Sequence, residues 1–112
     1  MLTLSHHLAI VVPSERKDKS LIDPDVYEAE VNACIRFFSE MNGGATAFSA
    51  KGGWILPDGK LALETVSVVV SFTGTLTEDM IERTIAYAES LKNRVGQDAV
   101  SVIVDGKLHI LQ

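Results

Sequence analysis

The chain has little that would mark an exported, membrane-bound or nucleic-acid-binding protein. Its 112 residues include one cysteine, so an internal disulfide is excluded. A lone thiol fits a reducing compartment, and a cytoplasmic location is expected. Cys34 sits in "NACIRFF", the pattern of a helix face, which predicts a buried inert thiol rather than a nucleophile. There is no long run of Lys or Arg, and the net charge is −5. A phosphate-tracking stripe is therefore absent, and nucleic acid is excluded as a main partner. The densest basic stretch, "SERKDKS" at 14–20, is interleaved with Glu15 and Asp18 and reads as a solvated loop in preference to an anion site. The amino-terminal stretch is apolar in places. It lacks a basic leading segment, carries His6 and His7, and ends in Pro13 and charges, so it is read as neither a signal peptide nor a membrane span.

What is present is the balance of one small globular domain, residues 1–112, with 46% apolar and 22% charged residues. Leu2, Leu4, Leu8, Ile10 and Val12 share one parity and predict a first strand from Leu2 to Val12, ended by Pro13. Asp23 is a suitable N-cap, with Pro24 at the first helical position. Tyr27, Val31, Cys34, Ile35, Phe38 and Met41 then recur at helical spacing up to Asn42-Gly43-Gly44. Strands are expected over Ala45–Leu56 and Lys60–Phe72, joined by "PDGK". Thr77, Glu78 and Asp79 open a second helix whose inner face is Ile81, Thr84, Ile85, Ala88, Leu91 and Val95, with Gly96 after it. "AVSVIVDGKLHILQ" closes the chain as a strand, an Asp-Gly turn and a return strand. The order predicts an α+β fold. It is a ferredoxin-like βαββαβ antiparallel sheet with two helices on one face and a C-terminal β-ribbon.

The hairpin raises a question of register. A two-residue loop at Asp58-Gly59 sets Leu56 opposite Leu61 and Trp54 opposite Leu63. Deeper in the sheet, Thr46, Phe48 and Ala50 match Val66, Val68 and Val70 in a register one residue different. One extra residue reconciles the two, and Gly52-Gly53 is read as a β-bulge that supplies it. If the valines face the helices, Trp54, Leu56, Leu61 and Leu63 lie together on the open side, where they make an assembly surface.

Chemistry is sparse. His6 has core parity and reads as a hydrogen-bonded core histidine. His7 is expected on the open face, and His109 on the return strand is expected close to it. Glu64 interrupts an apolar strand; it reads either as an acid with a raised pKa or as a carboxylate bonded to the amides of Gly52 and Gly53. His7, Glu64 and His109 are the candidate ligand-binding residues. No spacing matches a zinc motif, a phosphate-binding glycine loop or a Ser-His-Asp or Cys-His arrangement, so no metal, no cofactor and no catalytic residue is assigned.

The run Gly43, Gly44, Thr46, Gly52, Gly53, Trp54, Asp58, Gly59, Glu64 resembles that of small bacterial and mobile-element proteins of unassigned function with a ferredoxin-like pattern. The resemblance covers roughly the middle third of the chain and implies a fold without an activity. The leading expectation is a homo-oligomeric binding protein, a dimer first, that holds a small molecule or protein on the open sheet face or hairpin tip. The alternatives are a small enzyme of the dimeric α+β barrel type, with His7, Trp54, Glu64 and His109 around its pocket, and a protein inhibitor or antitoxin-like factor.

Overall fold

The computed structural model describes residues 1–112. The elements run β1 (His6–Pro13), α1 (Pro24–Asn42), β2 (Thr46–Ile55), β3 (Leu61–Thr73), α2 (Glu78–Val95), β4 (Val100–Val104) and β5 (Lys107–Leu111). The sheet order is β2-β3-β1-β4-β5, and every pairing is antiparallel. This is the α+β, ferredoxin-like arrangement expected from the sequence, with β5 added as an edge strand. No helix is long and apolar enough to cross a membrane.

The helix ends form as their sequences dictate. The Asp23 side chain accepts from the Asp25 amide, the Thr77 hydroxyl accepts from the Met80 amide, and Gly43 and Gly96 close the two helices. β1 begins later than the leucine parity suggests. Its register on β3 starts at His6↔Thr73, where β3 ends, so Leu2 and Leu4 have no strand to pair with and are exposed.

The helices cover one face of the sheet. Leu8, Ile10 and Val12 of β1, Val69 of β3, and Val100 and Val102 of β4 pack against Phe38 and Cys34 of α1 and Ala88, Leu91 and Val95 of α2. β3 presents this face with Ser67, Val69 and Ser71. Ser67 hydrogen-bonds the Tyr27 hydroxyl of α1. Ser71 accepts from Asn42 Nδ2 at 3.1 Å and donates to the Gly44 carbonyl at 2.6 Å. Val66, Val68, Val70 and Phe72 therefore point away from the helices, which reverses the face expected for them. The reason is that both parities of β3 contain apolar residues, and the polar partners of the serines on α1 decide between them.

The bulge is also corrected. The β2–β3 register is unbroken from Thr46↔Val70 to Ile55↔Leu61, with Gly52 opposite Glu64 and Gly53 opposite Leu63. The extra residue lies in the turn instead. Leu56 N donates to Lys60 O at 2.8 Å and Gly59 N donates to Leu56 O at 2.9 Å, so the loop has three residues, Pro57-Asp58-Gly59. Gly59 takes φ +85°, the left-handed residue such a loop requires. The expected pairing of Thr46, Phe48 and Ala50 with Val70, Val68 and Val66 matches the structure, and the loop is one residue longer than Asp58-Gly59. Trp54 accordingly faces Ala62, and Leu56 shares its side. Leu61 and Leu63 lie on the other side with Ile55. The four residues expected to form one surface are split between the two faces of the hairpin.

Candidate functional site

Two structural facts build the site. First, β1 pairs with β3 only from Val66 onward, so the hairpin from Lys51 to Thr65 projects past it as a two-stranded arm. The molecule is elongated in consequence, 48 Å against 29 and 25 Å. Second, the chain leaving β1 turns back at Ser14–Ser20. Lys17 N donates to Gly96 O at 2.9 Å, and Gln97 Nε2 donates to Glu15 O at 2.6 Å, so this loop is fastened to the α2–β4 connection.

Between the arm, the loop and β5 the open face of the sheet forms a groove of about 750 Å³. Its floor is Val11, Pro13, Val66 and Val68. Trp54 stands at the arm end, and Leu108 and Ile110 of β5 stand at the far side. Trp54, Leu108 and Ile110 are all substantially exposed. Charged side chains rim the groove at the loop end: Glu15, Arg16, Lys17 and Lys19, with Glu64 and Asp98; Lys51 borders it only from the edge strand, since it pairs with Thr65 on the other face.

Glu64 is the one acid set into the sheet floor. Its Oε2 accepts from the amides of Ser14 at 2.9 Å and Glu15 at 3.0 Å, where β1 ends and the loop begins. The amide partners are thus on the β1 side and not Gly52 and Gly53. Oε1 makes no hydrogen bond within the protein. Burial pushes the Glu64 carboxyl above the ordinary glutamate range, and the two amide bonds oppose that shift without cancelling it.

The histidines lie elsewhere. The His6 ring Nδ1 is 2.7 Å from Asp105 Oδ2, and both side chains are well exposed, so His6 is a surface partner and not a core residue. His7 N donates to Asp105 Oδ1 at 2.9 Å, and Gly106 N donates to His7 Nε2 at 3.1 Å. The His7 ring rests on Phe72 at 5.6 Å between centroids. The bond to His6 is the main reason the Asp105 carboxyl lies below its usual range. This cluster ties the start of β1 to the β4–β5 turn. His109 pairs with Val102, on the helix-side parity of β5, so it is on the opposite face from His7. Of the candidates, the groove gathers Glu64 and Trp54. It includes neither His7 nor His109, and Leu56, Leu61 and Leu63 do not line it. No three of the chain's His, Cys, Asp and Glu residues cluster as a metal site. Cys34 is buried, and desolvation pushes its thiol up to about 12, which suits a packing role.

Sequence reasoning gives Leu108 and Ile110 no role and treats Arg16, Lys17 and Lys19 only as parts of a solvated loop. The 14–20 stretch is exposed as expected, yet it walls a groove. Nothing in its composition signals that role; the hydrogen bonds to Gly96 and Gln97 bring it there.

The site is thus a groove on the uncovered face of a ferredoxin-like sheet. No family model matches the chain, and no curated protein matches it by sequence. Solved structures match it in fold. A phage SAM lyase in complex with S-methyl-5'-thioadenosine is 18% identical with a TM-score of 0.67, over 100% of this chain and 93% of that one. A phage SAM lyase in the apo state is 16% identical with a TM-score of 0.62, over 100% of this chain and 94% of that one. The likeness is one of fold along the whole chain.

Proposed function

We propose that the protein binds a small molecule of the methylthioadenosine class in the open-face groove, and that it does so as a homo-oligomer. The observation that carries the reading is the groove itself. Its 750 Å³ volume falls within the range of small-molecule sites, and its floor is apolar with a few polar groups at one end. It lies on a chain that matches, end to end, the fold of a protein holding S-methyl-5'-thioadenosine. Trp54 offers a flat ring for a purine, and Leu108 and Ile110 offer apolar contact opposite it.

Self-association is supported by the arm. A two-stranded ribbon is marginal alone in water, and this one carries Trp54 and Leu56 on one side and Ile55, Leu61 and Leu63 on the other. A second copy, giving a dimer as the simplest assembly, is the partner that covers them.

An enzymatic reading is favoured by Glu64. A carboxyl held by two amides, raised in pKa and bordering the groove through a free oxygen is suited to proton transfer. The test is calorimetric titration with S-methyl-5'-thioadenosine and S-adenosylmethionine, with chromatography of the second mixture for release of the first compound. Saturable binding supports the binding reading, and release that is lost in Glu64→Gln supports the enzymatic one. Absence of binding by both compounds at millimolar concentration removes both readings. Sedimentation over a dilution series tests assembly: the wild type is expected above monomer mass, and Leu61→Lys with Leu63→Lys is expected to lower it.

A further inference from the structure

Pro13 is the last residue of β1, and the two amides that follow it leave the β1–β3 ladder. Part-buried amides without a ladder partner need another acceptor, and both find the same atom. Ser14 N donates to Glu64 Oε2 at 2.9 Å, and Glu15 N donates to it at 3.0 Å. Consecutive N–H groups that converge on one oxygen form a small nest for negative charge. The other oxygen of Glu64 is left unspent.

Two side chains hold that nest in place without bonding Glu64 themselves. The Ser14 hydroxyl donates to the carbonyl of Thr65, the residue after Glu64 on β3. Ser14 is thereby fastened to the strand that carries the acid through its side chain as well as its amide. On the outer side Gln97 Nε2 donates to Glu15 O at 2.6 Å, and Gln97 Oε1 accepts from the Asp98 amide at 3.2 Å. A carbonyl can only accept and a backbone N–H can only donate, so these partners fix which way the Gln97 amide points. Gln97 stands just past the end of α2, whose cap, Gly96, takes φ +72°. A continuous line of hydrogen bonds therefore runs from the end of α2 through Gln97 and Glu15 to the carboxyl of Glu64. Two donors favour the carboxylate form of such a group, and burial favours the neutral acid. The balance depends on how closely the amides approach, and that approach is set by Ser14 and Gln97.

We propose that Ser14 and Gln97 are positioning residues for Glu64: they clamp the Ser14 and Glu15 amides on Oε2, which leaves Oε1 as the oxygen free to exchange a proton with a ligand in the groove. The proton exchange rests on the enzymatic reading above, whereas the clamp stands on the hydrogen bonds alone.

The experiment follows the Glu64 side-chain carboxyl by carbon NMR through a pH titration of the full chain. Beside it runs the pH dependence of S-methyl-5'-thioadenosine release from S-adenosylmethionine. Ser14→Ala removes the inner anchor, and Gln97→Met keeps the bulk of the outer one without its hydrogen bonds. Both should move the Glu64 titration to higher pH, because donors to the carboxylate are loosened while burial remains. The shift should be larger in Ser14→Ala, since the Lys17 amide still ties the loop to Gly96 O in Gln97→Met. Ser14→Thr keeps the hydroxyl and should titrate as the wild type does. Ser71→Ala removes a hydroxyl that bonds Asn42 and Gly44 on the helix-covered face. It should lower the melting temperature and leave the Glu64 titration in place. The pH limb of release should follow the Glu64 titration in each variant.

A Glu64 titration that is unmoved or lowered in both Ser14→Ala and Gln97→Met overturns the clamp, and so does an equal shift in Ser71→Ala. If the titration shifts as expected but S-adenosylmethionine releases nothing, or releases product with a pH limb that ignores those shifts, the enzymatic reading of Glu64 fails and the positioning by Ser14 and Gln97 stands.

Discussion

The two faces of this sheet are both apolar, and they are apolar for different reasons. The helix-covered face is closed by Leu8, Ile10, Val12, Val69 and Val102, all without exposure, yet it tolerates Ser67 and Ser71 because Tyr27, Asn42 and Gly44 satisfy them. The open face has no such polar insertions along β3 between Val66 and Phe72, and it leaves Phe48, Trp54, Phe72, Leu108 and Ile110 substantially exposed. The buried face is where polar groups find partners. The bare face is the more uniformly hydrophobic one, which is what a surface kept for contact with another molecule requires.

The largest effect that separates the faces comes from two phenylalanines. Phe38 is fully buried under the sheet, and Phe72 is about half-exposed on the open side. Phe38→Ala should lose about 3–5 kcal/mol of unfolding free energy. Phe72→Ala should lose well under that, about 1 kcal/mol or less when measured on dilute protein, since little of its area leaves water in one copy. Urea denaturation of both variants checks this, and comparable losses would mean that the open face is closed by the protein itself.

A smaller contrast concerns the arm. Gly59 has φ +85° with nothing near its Cβ position, so Gly59→Ala should lose about 1–2 kcal/mol through backbone strain alone. A Cβ on Gly52 would meet only the Glu64 carbonyl, at an ordinary 3.9 Å, and Gly52→Ala should stay within about 0.5 kcal/mol. The reverse ranking would restore the bulge at Gly52-Gly53 and shorten the turn.

The smallest expected effect is on pH dependence. The Glu64 pKa is raised chiefly by burial, so the folded protein keeps this proton at pH values where the unfolded chain has released it. Stability therefore falls as pH rises from the ordinary glutamate range through the raised folded value. Glu64→Gln removes that contribution. Its stability relative to wild type should improve across the same window and be level below it. A wild type that instead gains on the glutamine variant as pH rises would show that the amides of Ser14 and Glu15 outweigh burial.

Most of the fold was legible in the sequence because caps, turns and helical periodicity act locally. Asp23 with Pro24, Thr77 with Glu78, and Asp58-Gly59 each announce a boundary without help from distant residues. Face assignment was not legible. Val66, Val68 and Val70 give the cleaner alternation, and only the bonds from Ser67 and Ser71 to α1 show that the other parity is inside. The site was half legible. Glu64 and Trp54 stand out by type, one as an acid in an apolar strand and the other as the single tryptophan. Arg16, Lys19, Leu108 and Ile110 reach the same groove only through tertiary contacts between segments far apart in sequence.

The central claim is that the open-face groove is a small-molecule site, and the single tryptophan offers a direct test because it lines that groove. Titration of the protein with S-methyl-5'-thioadenosine, followed by Trp54 emission, should give a saturable change that weakens at least several-fold in Leu108→Lys with Ile110→Lys. Trp54 emission that stays flat to millimolar ligand, with S-adenosylmethionine and adenosine 5'-monophosphate equally silent, would contradict the claim.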